Sequence, residues 1–122
     1  MTPGARLDRT LAALAEPNRR GVIDLLREQP RAAGELARSL GVSPPAMSRH
    51  LRALRESGLV EESHPAFDAR VRIYALRAEP MIELIRWLEE TERLWSAQLS
   101  AFKAHLERPP AEAPPPNPVD AP

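Results

Sequence analysis

The chain contains no cysteine, which excludes disulfides, thiolate metal centres and thiol redox switching together. No run approaches the roughly 18 apolar residues that suit a membrane-spanning helix, and no charged-then-apolar stretch opens the sequence. A cytoplasmic protein with no membrane partner is therefore expected. Catalytic groupings are lacking too. No Gly-rich phosphate loop and no Ser-His-Asp, Cys-His or paired-carboxylate set can be assembled, and the adjacent Glu89 and Glu90 read as solvated charges, so no enzyme is expected. Net charge is the last absence: 17 Lys and Arg stand against 17 Asp and Glu. Such a balance argues mildly against a nucleic-acid partner until the location of the charges is considered.

What is present is an asymmetry. Between Arg31 and Arg55 lie five arginines (31, 38, 49, 52 and 55) and one acid, Glu35; between Glu79 and Arg93 lie five acids and two arginines. The 122 residues give room for one domain with a small core. Residues 1–107 are expected to form it. From Arg108 onward the sequence is RPPAEAPPPNPVDAP, which holds seven of the fourteen prolines and almost no large apolar residue. This composition cannot fill a core, so 108–122 is expected to be an extended, disordered tail without a docking role.

Periodicity supplies the elements. Leu7, Leu11 and Leu14, with intervening alanines, form a short apolar helix that must end before Pro17, because the residue ahead of a proline leaves helical geometry. A second helix begins at Pro17, carries Val22, Ile23, Leu25 and Leu26, and closes near Gln29 and Pro30. Leu36, Ala37 and Leu40 repeat at helical spacing until Gly41 stops them. Val42 turns inward and Ser43 is an N-cap. Pro44 and Pro45 then occupy first-turn positions whose N–H groups have no helical partner. The helix they open buries Met47, Leu51 and Leu54, points Ser48, Arg49, Arg52 and Arg55 elsewhere, and ends at Gly58. Two helices at a tight turn, the second basic on its open face, read as a helix-turn-helix.

After Gly58 the period drops to two. Leu59 to His64 and Arg70 to Leu76 form a β-hairpin around Pro65–Ala69, with Val71, Ile73 and Ala75 on one side and Arg70, Arg72 and Tyr74 on the exposed side. Pro80 opens a last helix to about His105. Met81, Leu88, Trp95 and Phe102 fall on it at intervals of seven, flanked by Ile85, Leu99 and Leu106. A single small domain has too little surface for so long a stripe, which calls for a partner helix. Trp87 and Leu94 lie on a neighbouring face, where they widen the apolar surface.

Leu14 to Arg20, Gly34 to Ala37, Ser48 to Val60 and Phe67 to Tyr74 together resemble the ArsR family of winged-helix transcription regulators, across about residues 7 to 106. The resemblance implies a mainly α fold with a small β-hairpin, a winged helix-turn-helix in the order α-α-α-α-β-β-α. It implies a homodimer held by Leu7, Leu11, Leu14, Met81, Ile85, Leu88, Trp95, Leu99 and Phe102, with two recognition helices entering successive major grooves. It also implies a sequence-specific regulator of double-stranded DNA, in the form of a repressor on a palindromic operator. Ser48 and Arg49 would face bases, with Arg49 able to grip guanine O6 and N7 in two-pronged fashion. Arg52 would read a base or clamp a phosphate. Ser43, Pro45 and Ala46 would approach the backbone or a thymine methyl, and Arg70 and Arg72 of the wing would meet phosphate or the minor groove.

Many relatives sense metals through cysteines in the helix matching Gly34 to Leu40, or through paired Asp/His and His/Glu ligands on the closing helix. This chain has no cysteine and only His105 in the closing helix, so no metal and no cofactor is expected, and the similarity is to the metal-independent branch. His50 is expected to pack or to bond a phosphate. No small-molecule effector is identified. The competing reading is a winged-helix protein-interaction module working through the acidic helix and the tail. Salt dependence of DNA affinity separates the two.

Overall fold

The computed structural model describes residues 3–108. Of the helices, α1 (Pro3–Leu14) and α2 (Pro17–Leu26) precede the first strand, and α3 (Ala33–Leu40) and α4 (Pro44–Glu56) follow it. The strands are β1 (Arg31–Ala32), β2 (Val60–Ser63) and β3 (Ile73–Leu76), and α5 (Ala78–Leu106) follows. The backbone groups into two compact units, one reaching Arg86 and the other beginning at Trp87. The expectation of a disordered tail falls, from residue 109 on, outside the described residues.

Local chemistry sets the helix boundaries. Glu16 caps α2, its carboxylate accepting from Arg19 N at 3.0 Å, and Pro17 follows in the first turn. Gly41 ends α3 at φ 64°, in left-handed geometry that a side chain would strain. Gly21 serves another purpose, since a Cβ there would sit 2.9 Å from Leu40 Cδ2, so its bareness lets α2 and α3 approach. Between them these helices bury Val22, Ile23, Leu26, Leu36 and Ala37 against Met47, Leu51 and Leu54 of α4.

The sheet departs from the expected hairpin in two ways. It has three strands in the order β1-β3-β2, all antiparallel, with Arg31 opposite Tyr74 on one side of β3 and Glu62 opposite Tyr74 on the other. A strand of two residues is too short to show alternation, which is why β1 carried no signal in the sequence. The faces of β3 are also reversed: Tyr74 is almost fully buried and Leu76 packs on the core, while Ile73 and Ala75 are half-buried. Burying the aromatic ring gains more than burying Ala75, and its hydroxyl stays satisfied by donating to Glu62 Oε2 at 2.7 Å. Arg70, Val71 and Arg72 lie outside the strand, and Asp68 accepts from Arg70 N at 3.0 Å in the turn before it.

Glu62 is the polar centre of this sheet. Its Oε2 also receives Arg55 Nη1 at 2.9 Å, and its Oε1 lies 3.3 Å from His64 Nε2. The Tyr74 hydrogen bond first, then Arg55, His64 and Arg72, hold the Glu62 carboxyl below its ordinary value. Burial, followed by the Glu62 contact, pushes Tyr74 up to about 12. A lowered carboxyl stabilises at neutral pH and loses that contribution as pH falls through its folded value. A raised phenol stabilises below its ordinary 10.0 and loses that contribution as pH rises to about 12. Urea unfolding of the wild type should therefore weaken between those alkaline limits by on the order of 2 kcal/mol. Tyr74→Phe should flatten that branch; an unchanged alkaline slope would remove Tyr74 as its source.

Candidate nucleic-acid interface

Ser43 stands at the head of α4, its hydroxyl oxygen accepting from Ala46 N at 3.3 Å, and Pro44 and Pro45 follow exposed in the first turn. Because Met47, Leu51 and Leu54 fill the core, the opposite side of α4 is forced outward. Ala46 and Ser48 are half-buried, and Arg49 and Arg52 are exposed with no acid paired to either among the described residues. The expected base-facing and phosphate-facing groups of α4 therefore share one open side. Arg38 on α3 is exposed as well and likewise has no acid partner there, a cation that the charge count included but the motif did not single out.

The wing residues divide. Arg70 projects from the turn with a side chain 92% exposed, held only by Asp68 Oδ1 at 3.2 Å. Arg72 immediately precedes β3 and reaches across to α4, donating from Nη2 to Ser48 Oγ at 3.3 Å. It joins Ala33, Gly34, Pro44, Met47 and Ser48 around a cleft of about 160 Å³. Wing and recognition helix are thus tied side chain to side chain, which no spacing rule within either segment could reveal.

Two of the five arginines in the basic segment do not contribute free charge. Arg31 is held by Glu28, by Glu35 and by the carbonyl of Leu25, with a side chain only 14% exposed, and Arg55 is held by Glu62. His50 turns inward as well. Its Nδ1 lies 3.4 Å from Arg19 Nε and 3.6 Å from Glu16 Oε2, which pins α4 against the start of α2 rather than offering the ring to a phosphate. One nitrogen cannot both accept from Arg19 and donate to Glu16, and the hydrogen bond here runs from Arg19 Nε to His50 Nδ1.

The apolar residues expected at a dimer interface are placed unequally. On α1, Leu11 is exposed while Leu7 and Leu14 are half-buried, Leu14 against the core. On α5, Met81 packs on the core and Leu84, which the sevenfold spacing passed over, is buried. Ile85 is exposed, as are Leu88, Trp95, Leu99 and Phe102 of the second unit, together with Trp87, Leu94 and Leu106.

A capped helix-turn-helix with a basic open side, a β wing tied to it and a long closing helix define a winged-helix DNA-binding regulator. The chain belongs to the ArsR family: residues 16–62 match the family model described as bacterial regulatory protein, arsR family. It is 38% identical over 95 residues to the HTH-type transcriptional regulator Rv2034 of Mycobacterium tuberculosis, covering 78% of this chain and 83% of that protein. The structure of an ArsR-like transcriptional regulator from Rhodococcus sp. RHA1 superposes with a TM-score of 0.70 at 31% identity, over 88% of this chain and 97% of that one. The homodimeric winged helix-turn-helix DNA-binding domain of Mb0332 from Mycobacterium bovis gives a TM-score of 0.58 at 26% identity, over 74% and 82%. These relatives are transcriptional regulators, not enzymes. No helix among the described residues is long and apolar enough to cross a membrane.

The pairing pattern yields a contrast within one helix. Arg52→Gln should weaken duplex binding and lower the slope of log affinity against log salt by about 1. Arg55→Gln, already bound to Glu62, should leave both within error. Fluorescence anisotropy across a salt series checks this, and equal losses for the two variants would contradict it.

Proposed function

We propose that the chain acts in the cytoplasm as a homodimeric, sequence-specific repressor of the metal-independent kind, sitting on a palindromic operator and so keeping polymerase from the promoter. Residues 1–107 carry both DNA binding and dimerisation in this reading. The observation that carries it is the pair Arg49 and Arg52, left without acids among the described residues on the open side of a helix whose other side is sealed into the core.

Ser48 and Arg49 face base edges, Arg49 gripping guanine. Arg52 follows one turn on. Ser43, Pro45 and Ala46 lie close to the backbone, and Arg70 and Arg72 extend the contact along the wing. Apolar side chains of α1 and α5 supply the twofold contact: Leu7, Leu11, Leu14, Met81, Ile85, Leu88, Trp95, Leu99 and Phe102. A dimer of this kind sets the two recognition helices about 34–36 Å apart, one turn of duplex. The homodimeric state of the Mb0332 domain supports this reading. The lack of cysteine and the single histidine, His105, in the closing helix support the metal-independent branch.

Affinity for random duplex should fall steeply with rising salt, as phosphate-bound counterions are released on binding; a flat response would favour an interaction module instead. With operator fragments recovered from the protein's own genome, Arg49→Ala should lose about 1–3 kcal/mol of discrimination against random DNA. An equal loss on both would move Arg49 to a phosphate role. Trp95→Glu should give monomers in analytical ultracentrifugation, and an unchanged dimer would take α5 out of the interface.

A further inference from the structure

We propose that the cleft between α1, α2 and α4 binds a small organic anion with a compact apolar body, of the size and chemistry of an aromatic monocarboxylate, and that its occupancy acts on the recognition helix. The cleft has a volume of about 570 Å³ and is lined by Arg9, Ala12, Ala13, Arg19, Ala53, Glu56 and Ser57. That volume lies inside the range of about 300–1,000 Å³ in which small-molecule sites fall. Two guanidiniums face one carboxylate, over a floor of three alanines. The charge balance selects an anion, and the floor selects an apolar body lying flat against small side chains.

Both arginines have hydrogen bonds to spare. Arg9 has no ion-pair partner among the described residues, and Arg19 commits its Nε to His50 while its two terminal nitrogens take no partner there. A guanidinium with free N–H groups in fork geometry matches a carboxylate in bidentate fashion. An adjoining cleft of about 270 Å³ shares Arg9, Glu56 and Ser57 and adds Arg6 and Gly58. Arg6 is held there by Glu83 Oε1 at 3.4 Å, while Glu83 Oε2 is buried without a hydrogen-bond partner. The wall behind Arg6 thus keeps an unused acceptor.

Placement on α1 separates this site from the proposed twofold contact. At 100° per residue, Arg9, Ala12 and Ala13 fall on the side of α1 opposite Leu7, Leu11 and Leu14. Placement on α4 gives it consequence, because Ala53, Glu56 and Ser57 stand at the far end of the same rigid helix that presents Arg49 and Arg52. The effect on DNA rests on the reading of α4 given above, whereas the binding itself does not.

The test is a titration of isotope-labelled full-length protein with benzoate at constant ionic strength, followed by amide correlation spectra, with benzyl alcohol as the neutral control. Benzoate should shift the amides of Ala12, Ala13, Ala53 and Ser57, and benzyl alcohol should not. Arg9→Gln should weaken benzoate about tenfold, as loss of a charge-assisted hydrogen bond does. Ala12→Leu, which fills the floor and keeps both guanidiniums, should weaken it independently. Shifts elsewhere, an equal response to benzyl alcohol, or curves unaltered by both variants would overturn the site. Benzoate that binds but leaves duplex affinity unchanged overturns only its action on α4. Failure of the protein to bind duplex at all counts against the DNA reading and leaves the amide result standing.

Discussion

The open, basic side of the helix-turn-helix depends on α4 being unable to roll. Met47, Leu51 and Leu54 are at most 1% exposed, and they meet core residues from α2, α3 and the sheet. Each such side chain contributes about 1.5–3 kcal/mol by leaving water. Turning the helix by a single residue step would trade them for Ser48, Arg52 and Arg55, whose burial would cost far more than it returned. The apolar face therefore aims the cations. His50, drawn against Glu16 and Arg19, and Ser48, tied to Arg72, add polar pins on two further sides.

Electrostatics follow from that geometry. Zero net charge is an average over surfaces that never meet the same partner. Within the basic segment, Arg31 and Arg55 serve the fold by pairing with Glu28, Glu35 and Glu62, and Arg38, Arg49 and Arg52 have no acid paired to them among the described residues. Pairs like these, each with one solvent-exposed partner, add little stability, a median of about 0–1 kcal/mol for surface pairs. They do decide which guanidiniums stay available to a phosphate or a base edge.

Local signals made most of this architecture legible. Ser43, Pro44, Pro45 and Gly41 announce the turn because capping chemistry acts within a few residues, and the spacing of Met47, Leu51 and Leu54 marks the inner side of α4 because burial follows the helical period. The family match over residues 16–62 covers that same region. What escaped were contacts between distant segments. β1 exists only because Arg31 and Ala32 lie beside β3, and Tyr74 points inward because Glu62 on a neighbouring strand satisfies its hydroxyl. Alternation alone treats the two faces of a strand as equivalent, so it assigned Tyr74 to the side of the arginines and the arginines to solvent. Tyr74 looks into the core instead, and Arg72 falls before the strand begins. Met81 and Leu84 show the same limit on α5, since spacing finds an apolar stripe but not which part of it the chain's own core already covers.

The two ends of α4 have different chemistry, and this bears on how binding could be regulated. In the proposed reading the first turns offer Ser48 and Arg49 to a duplex, while the last turn, with Ala53, Glu56 and Ser57, forms one wall of the cleft against α1 and α2. A rigid helix links them, and a tenfold change in DNA affinity requires only about 1.4 kcal/mol of coupling. A ligand supplies that much only if it binds the two positions of the helix unequally. Arg9 and Arg19 come from α1 and α2, whereas Glu56 comes from α4, so an anion in the cleft attracts two walls and repels the third. That inequality is the differential interaction a conformational response needs, and it requires neither a metal ligand nor a thiol.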